Sequence, residues 1–449
     1  MKMSPESLAR ASSRHPWRTL AVWFVLIVGM GMLSSMALGD VLNQDIAFTN
    51  KPESVKAQDV IDSRFAVGGT EADTTEFFVI QSDLLTVDDP RYEGQVTKIK
   101  GQIAALDGET LMGEPTTYYD VAQRSQEQAA GLVSEDRRTT LITVGLKDST
   151  DSNIEKLRAV AERNESDGFT VQVAGQGTLE ADFTKIAEED LQRGESIGIG
   201  IALIVLIVVF AAVVAAFVPI IMALFAIVVA LGLVTLIGQL FEFNLFVTNM
   251  VTMIGLVVGI DYSLFIVSRY REERKKGFSK LEAIGGAGAT ANRAVFFSGL
   301  TVVLALLGMF IIPTTIFRAL AGGAILVTLA SLAASMTLLP AILALLGDRI
   351  NWPRLSKRAR VDSVFDPKGG VWDRITRRVM ARPVVFLVAS VLLLGALGSF
   401  YFQLNEGTSQ NVSQLSDDFP SKQAFLTLER EFAGGVTDPA RIVIIGDVQ

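Results

Sequence analysis

The chain has no cysteine and a single histidine, His15, in 449 residues. Disulfides, thiol nucleophiles and thiolate metal sites are therefore excluded, and a His-dependent catalytic triad has nothing to work with. No nucleophile–base pair stands out anywhere else, so the sequence does not read as an enzyme, and it implies neither a cofactor nor a metal. A basic patch interleaved with aromatics, the footprint of nucleic-acid binding, is also missing. Only 20% of residues are charged, while 50% are hydrophobic and the mean hydropathy is +0.40.

The apolar residues fall in blocks of roughly 20, the length that crosses a bilayer. The blocks lie at about 17–38, 197–217, 219–240, 244–268, 294–316, 319–346 and 383–404. Pro219 separates the second from the third with almost no loop, and Phe241–Asn244 makes a short turn before the fourth. The chain therefore reads as a multispan α-helical membrane protein with one large polar insert.

The net charge of −8 hides a segregation. Residues 40–195 hold 15 Lys+Arg against 31 Asp+Glu, so the rest of the chain is net positive. Residues 269–293 hold seven Lys+Arg and three Glu, and residues 347–382 hold ten Lys+Arg and four Asp. By the positive-inside rule the N-terminus and both basic loops are cytoplasmic, and residues 40–195 are extracytoplasmic. The organisation expected is residues 1–39 as N-terminus and first span, 40–195 as an outer domain and 196–346 as a five-helix block. Residues 347–382 then form a basic linker, 383–404 a further span, and 405–449 the start of another outer domain.

The outer segment alternates helix and strand. Helical signals run over Pro52–Phe65, Pro90–Leu106 and Ser152–Asn164, and strand signals over Thr74–Gln81, Arg138–Lys147 and Phe169–Ala174. A small α/β sandwich follows from that order. Within the linker, Val371, Ile375 and Val379 share a helical stripe beside Arg374, Arg377 and Arg378. That helix suits the anionic inner leaflet and equally suits an ordinary basic linker.

The C-terminal stretch restarts the N-terminal one. His15-Pro16 opens the first span and Arg382-Pro383 the last, 367 residues later. Phe65-Ala66-Val67-Gly68 recurs at the same offset as Phe432-Ala433-Gly434-Gly435, the latter followed by a strand-like Arg441–Ile445. Both copies start on the cytoplasmic side, so the repeat is parallel. The expectation is one complete half followed by a truncated second copy.

The fourth block carries the chemistry. It holds an acid, Asp261, inside an apolar run, followed at once by Tyr262. An intramembrane carboxylate costs a few kcal/mol or more, which makes it a functional-site hypothesis by default. Such an acid can take up a proton from one side and release it when its surroundings change. Gly255, Gly259 and Tyr262 fall along one helical face, and glycines four apart let another helix approach closely. Ser298 and Thr301 on the following span are candidate hydroxyl partners. A purely structural reading pairs Asp261 with Arg269 or Arg271. The run Gly285-Gly-Ala-Gly288 suits close packing better than a phosphate cradle, because it lacks the preceding strand and the following Lys-Ser/Thr.

Gly259-Ile-Asp261-Tyr262-Ser-Leu-Phe-Ile-Val-Ser-Arg269-Tyr-Arg271-Glu-Glu closely resembles the fourth-span signature of the MMPL family of the RND superfamily. The layout agrees along the whole chain. The resemblance implies an RND-type bundle with an α/β porter domain in the outer segment. It implies a secondary active transporter in a bacterial plasma membrane, driven by protons, that exports lipids or other hydrophobic compounds. It also implies that Asp261 and Tyr262 are half of a proton relay completed by the second half of the same chain, in contact with membrane lipids. Two other readings within the superfamily stay open: a sterol-sensing-type sensor or scaffold, and a Sec-type translocation accessory.

Overall fold

A computed structural model describes residues 4–43, 47–64, 74–106, 110–148, 150–166, 168–241, 243–353, 371–403, 412, 415–416 and 419–432. The sequence anchors Phe65–Gly68 and Ala433–Gly435, and the strand expected at Arg441–Ile445, lie outside these residues.

In chain order, α1 (Pro5–Arg14) and α2 (Pro16–Ala37) precede a two-residue strand β1 (Leu42–Asn43) and α3 (Glu53–Arg64). Next come β2 (Thr74–Gln81), α4 (Pro90–Ala104), β3 (Thr116–Thr117), the short helices α5 (Tyr118–Ala122) and α6 (Gln126–Ala129), and β4 (Thr139–Leu146). Helix α7 (Asp151–Asn164) and β5 (Thr170–Gly175) lead into the long α8 (Gln176–Phe210), then α9 (Val213–Gly238), β6 (Phe243–Asn244), α10 (Val247–Lys275) and α11 (Lys280–Leu307). Helix α12 (Thr315–Ala333) passes through a π-helical turn, Ala334–Leu338, into α13 (Leu339–Leu346). Three further helices follow: α14 (Val371–Ala381), α15 (Pro383–Ser399) and α16 (Pro420–Glu431). Helices α2 and α15 start at Pro16 and Pro383, and α3 and α16 start at Glu53 and Pro420. The offset is 367 in both pairs, so the repeat is written into helix boundaries as well as into sequence.

Among the described residues seven helical stretches are long and apolar enough to cross a membrane, making this a multi-pass membrane protein. The first, 22 residues long, rises about 33 Å at 1.5 Å per residue, enough for the hydrocarbon core. By contacts the chain forms two compact units, residues 1–52 with 193–399 and residues 53–192 with 400–449.

The first unit is the helical bundle. Its core is built from small and branched residues of α9, α10, α11 and α12, among them Ala223, Ala226, Val251, Ala287 and Val327. The buried Trp23 of α2 donates its indole N–H to Thr337 in the π turn (3.0 Å). At one end of the bundle three connections are knitted together. Strand β1 pairs in parallel with β6, and the Thr49 N–H donates to the Pro313 carbonyl (2.9 Å). The turn expected as a bare loop at Phe241–Asn244 thus supplies a strand.

The boundary between the second and third spans differs from the sequence expectation. Helix α8 ends at Phe210, Ala211 turns the chain with φ +47°, and Pro219 lies inside α9. The turn holds because its polar groups find distant partners. The Arg271 guanidinium donates to the Phe210 carbonyl (3.0 Å) and lies over the Phe210 ring, while the Val214 N–H donates to the Trp352 carbonyl (3.2 Å). Within the apolar bundle α9 tolerates a proline that costs it one backbone bond.

The second unit is a four-stranded antiparallel sheet in the order β3-β4-β2-β5. One face is covered by α4 and α7 through Tyr92, Val96, Ile99, Ile154 and Leu157, all buried. On the other face Ala424, Leu428 and Phe432, of α16 and its C-cap, pack against Val79, Leu141 and Ala174. The alternation of β2, with Phe78 and Ile80 to one side and Val79 to the other, serves both layers. At the sheet's end Glu76, fully buried, accepts hydrogen bonds from the N–H groups of Gly177 (2.8 Å) and Thr178 (3.3 Å) and from the Thr178 hydroxyl. A strand carboxylate thereby caps the N-terminus of α8, where the helix leaves N–H groups unpaired.

Candidate functional site

Helix α10 is placed by its glycines. A methyl group added at Gly255 would meet Ile227 Cγ1 at 2.4 Å, and one at Gly259 would meet the Ala223 Cα at 2.6 Å. The absence of side chains there brings α9 and α12 against α10. Tyr262, one turn on from Gly259, is buried on the side those contacts define.

Asp261 lies about 100° round the helix from Tyr262. It is exposed in this unit, and among the described residues it makes no hydrogen bond or ion pair. The residues one turn before and after it on α10, Val257 and Phe265, are apolar and exposed as well, and the neighbouring α11 exposes Phe297 and Leu304. The Tyr262 hydroxyl is buried and approaches Ser298 of α11 without closing a hydrogen bond of normal geometry. Thr301 spends its hydroxyl on the Phe297 carbonyl of its own helix (2.9 Å) and lies exposed. The structure therefore brings Tyr262 and Ser298 together, while the Thr301 hydroxyl donates within its own helix.

The arginines that follow Asp261 on α10 are committed elsewhere. Arg269 bridges Glu272 (2.7 Å) and the buried Glu273 (2.8 Å). Arg271 donates to Asn351 (2.9 Å) as well as to Phe210, and Arg274 pairs with Asp348 (2.6 Å). The reading of Asp261 as a structural acid tied to Arg269 or Arg271 finds no support in this geometry. Gly285 and Gly288 admit α1: an added methyl would lie 3.2 Å from the Arg10 guanidinium in one case and 3.1 Å from the Ala9 Cβ in the other. Gly286 faces Glu273 of α10 in the same way. This run is a packing surface, as its sequence context suggests.

The π turn at Ala334–Leu338, packed against α10, was not foreseen. Pro340 is the available signal, because its missing N–H removes the usual i+4 donor for the Met336 carbonyl. Wide turns of this kind are frequent at functional sites. Among the described residues no cluster of three metal-ligating side chains is assembled.

The sequence pattern of the MMPL family matches residues 47–386. The chain belongs to the MMPL family. Relatives include the mycolic acid-containing lipids exporter MmpL11 of Mycolicibacterium smegmatis, 37% identical over 53% of this chain and 25% of that protein. The trehalose monomycolate exporter MmpL3 of Mycobacterium tuberculosis is 26% identical over 97% of this chain and 48% of that protein. The putative membrane protein SCO6666 of Streptomyces coelicolor is 27% identical over 98% of this chain and 59% of that protein. This MMPL chain thus spans about half the length of the relatives it matches end to end. Its RND-type fold is shared with the hedgehog release protein Disp of the water bear Hypsibius dujardini. That match has a TM-score of 0.54 at 15% identity, covering 95% of this chain and 58% of Disp.

Proposed function

We propose that this chain forms half of a proton-driven exporter of lipids or other hydrophobic compounds in a bacterial plasma membrane, and that Asp261 and Tyr262 are its part of the proton relay. Relatives named as exporters of mycolic acid-containing lipids and of trehalose monomycolate support the lipid class. The observation that carries the relay is the bare carboxylate of Asp261 in the middle of an apolar, exposed helix face. Lipid cannot solvate it, so the face calls for a protein partner with polar groups at the same depth. A second copy of the membrane block, as the 367-residue repeat suggests, supplies a surface of the right kind. Protonation of Asp261 then changes its pairing with that partner, and the helix shift that follows moves the outer domains. In this arrangement the N-terminus is cytoplasmic and residues 40–195 are the extracytoplasmic porter domain.

The test is Asp261→Asn in the full-length protein, with lipid export and proton uptake measured in parallel. Loss of both, with the protein still folded in the membrane, is expected. Undiminished proton-coupled export by that variant would sink the relay, whereas no lipid export by the parent protein would favour a non-transporting sensor or scaffold.

A further inference from the structure

A cavity of about 460 Å³ opens on the side of the bundle between α9 and α13. That volume lies within the ~300–1,000 Å³ usual for ligand pockets. Val214, Phe217, Val218 and Ile221 form one wall, Ile342 and Leu346 the other, and no polar atom lines it. An apolar cavity of this kind offers water none of the partners it needs, so its natural filling is hydrocarbon.

Its mouth has a different chemistry. After Leu346, Gly347 turns the chain with φ +52° into a tight turn that ends at Asn351. The Trp352 carbonyl accepts from the N–H of Val214, so this turn is tied directly to the cavity wall, with the Trp352 ring 69% exposed. Asp348 and Asn351 are already committed to Arg274 and Arg271. Arg349 is exposed and makes no ion pair among the described residues. An exposed tryptophan and an exposed arginine on one turn, joined through the Trp352 N–H and the Arg349 carbonyl (3.0 Å), match the headgroup region, and arginine takes phosphate oxygens two at a time.

We infer that this slot binds one acyl chain of a resident anionic glycerophospholipid, whose phosphate is held by Arg349 at the mouth. The inference rests on the reading that the basic end of the bundle faces the inner, anionic leaflet. Its occupant is a fixed lipid, separate from any transported one, because the slot adjoins the clamp of Arg271, Asn351 and Phe210 that holds α8, α9 and α10 in place.

The experiment uses the full-length protein in nanodiscs doped with phosphatidylglycerol, or with phosphatidylcholine, carrying a diazirine on the acyl chain. After irradiation the adducts are mapped by mass spectrometry. Adducts from phosphatidylglycerol are expected to concentrate in residues 213–221 and 342–346. Ile342→Trp, which fills the slot, should remove most of them and leave adducts elsewhere unchanged. Arg349→Gln should abolish the preference for phosphatidylglycerol over phosphatidylcholine. Adducts spread evenly over the spans, or a yield at the slot indifferent to Ile342→Trp, overturn the proposal. Disappearance of the slot adducts in Asp261→Asn would identify the occupant as cargo and overturn it too. Arg349→Cys and an impermeant maleimide applied to intact cells, with the parent protein as the blank, test the leaflet separately. Labelling from outside would show that the orientation is wrong.

Discussion

Gly259 faces the backbone of Ala223 so closely that a methyl group on it would lie 2.6 Å from the Ala223 Cα. The neighbour is main chain and cannot swing aside. Gly259→Ala should therefore push α9 and α10 apart and destabilise the bundle by about 1–3 kcal/mol, the usual cost of overpacking. Gly255→Ala should cost less, because the atoms it meets belong to the side chains of Ile227 and Val327. Thermal unfolding of both variants in detergent checks the order. A Gly259→Ala protein as stable as the parent would mean that the two helices are not held at this distance.

Arg271 fastens the turn between α8 and α9 to α10 and to the segment after α13. Arg271→Ala should lower stability by about 1–3 kcal/mol, the range for charge-assisted hydrogen bonds. Arg271→Lys should recover little, since an ammonium cannot serve Phe210 and Asn351 at once while lying over a ring. A double-mutant cycle with Asn351→Ala measures the coupling, expected to be at least about 0.5 kcal/mol for residues in direct contact. Strict additivity would show that the contact contributes nothing.

These two relationships show what could and could not be read from the sequence. The spans were legible because each is a block of apolar residues of bilayer length, and Asp261 because it interrupts one of them. The packing role of Gly255 and Gly259 followed from their spacing on one helical face. The turn at Ala211 was not legible. Pro219 is the stronger local signal, and the groups that stabilise the true turn, Arg271 and Trp352, lie far away in sequence. The same holds for β1 and β6, which are two residues each and gain meaning only by pairing with one another. In the second unit the strands were legible from alternation, whereas the placement of α16 on the sheet was not. Its apolar stripe states that something must be covered without saying what.

Glu76 gives the second unit a pH dependence. Burial pushes its carboxyl above the ordinary value of 4.5, against the opposing hydrogen bonds from Thr178 and Gly177 and the charge of Arg158. Between the unfolded and the raised folded value the native chain holds more protons than the unfolded chain. Stability from this group is therefore fully present below about pH 4.5 and falls as pH rises through the folded value. Glu76→Gln, which keeps an acceptor for the Gly177 N–H, should remove that fall and leave a flatter profile. Chemical denaturation of the full-length protein across pH 4–8 is the measurement. An unchanged slope in the variant would mean that Glu76 titrates alike in the folded and unfolded chains.

Tyr262 separates a relay role from a packing role. Its hydroxyl is buried without a hydrogen-bond partner, a state that costs free energy, while its ring fills space in the bundle core. Tyr262→Phe keeps the ring and removes the orphaned donor, so stability should hold or rise by about 0–1 kcal/mol. If the hydroxyl serves a carboxylate on a neighbouring helix during proton transfer, export by the same variant should fall partly, short of the complete loss expected for Asp261→Asn. Export and unfolding are then moved in opposite directions by one atom, which a structural role alone does not produce. Export at the parental level together with a gain in stability would assign Tyr262 to packing and leave Asp261 to act without it.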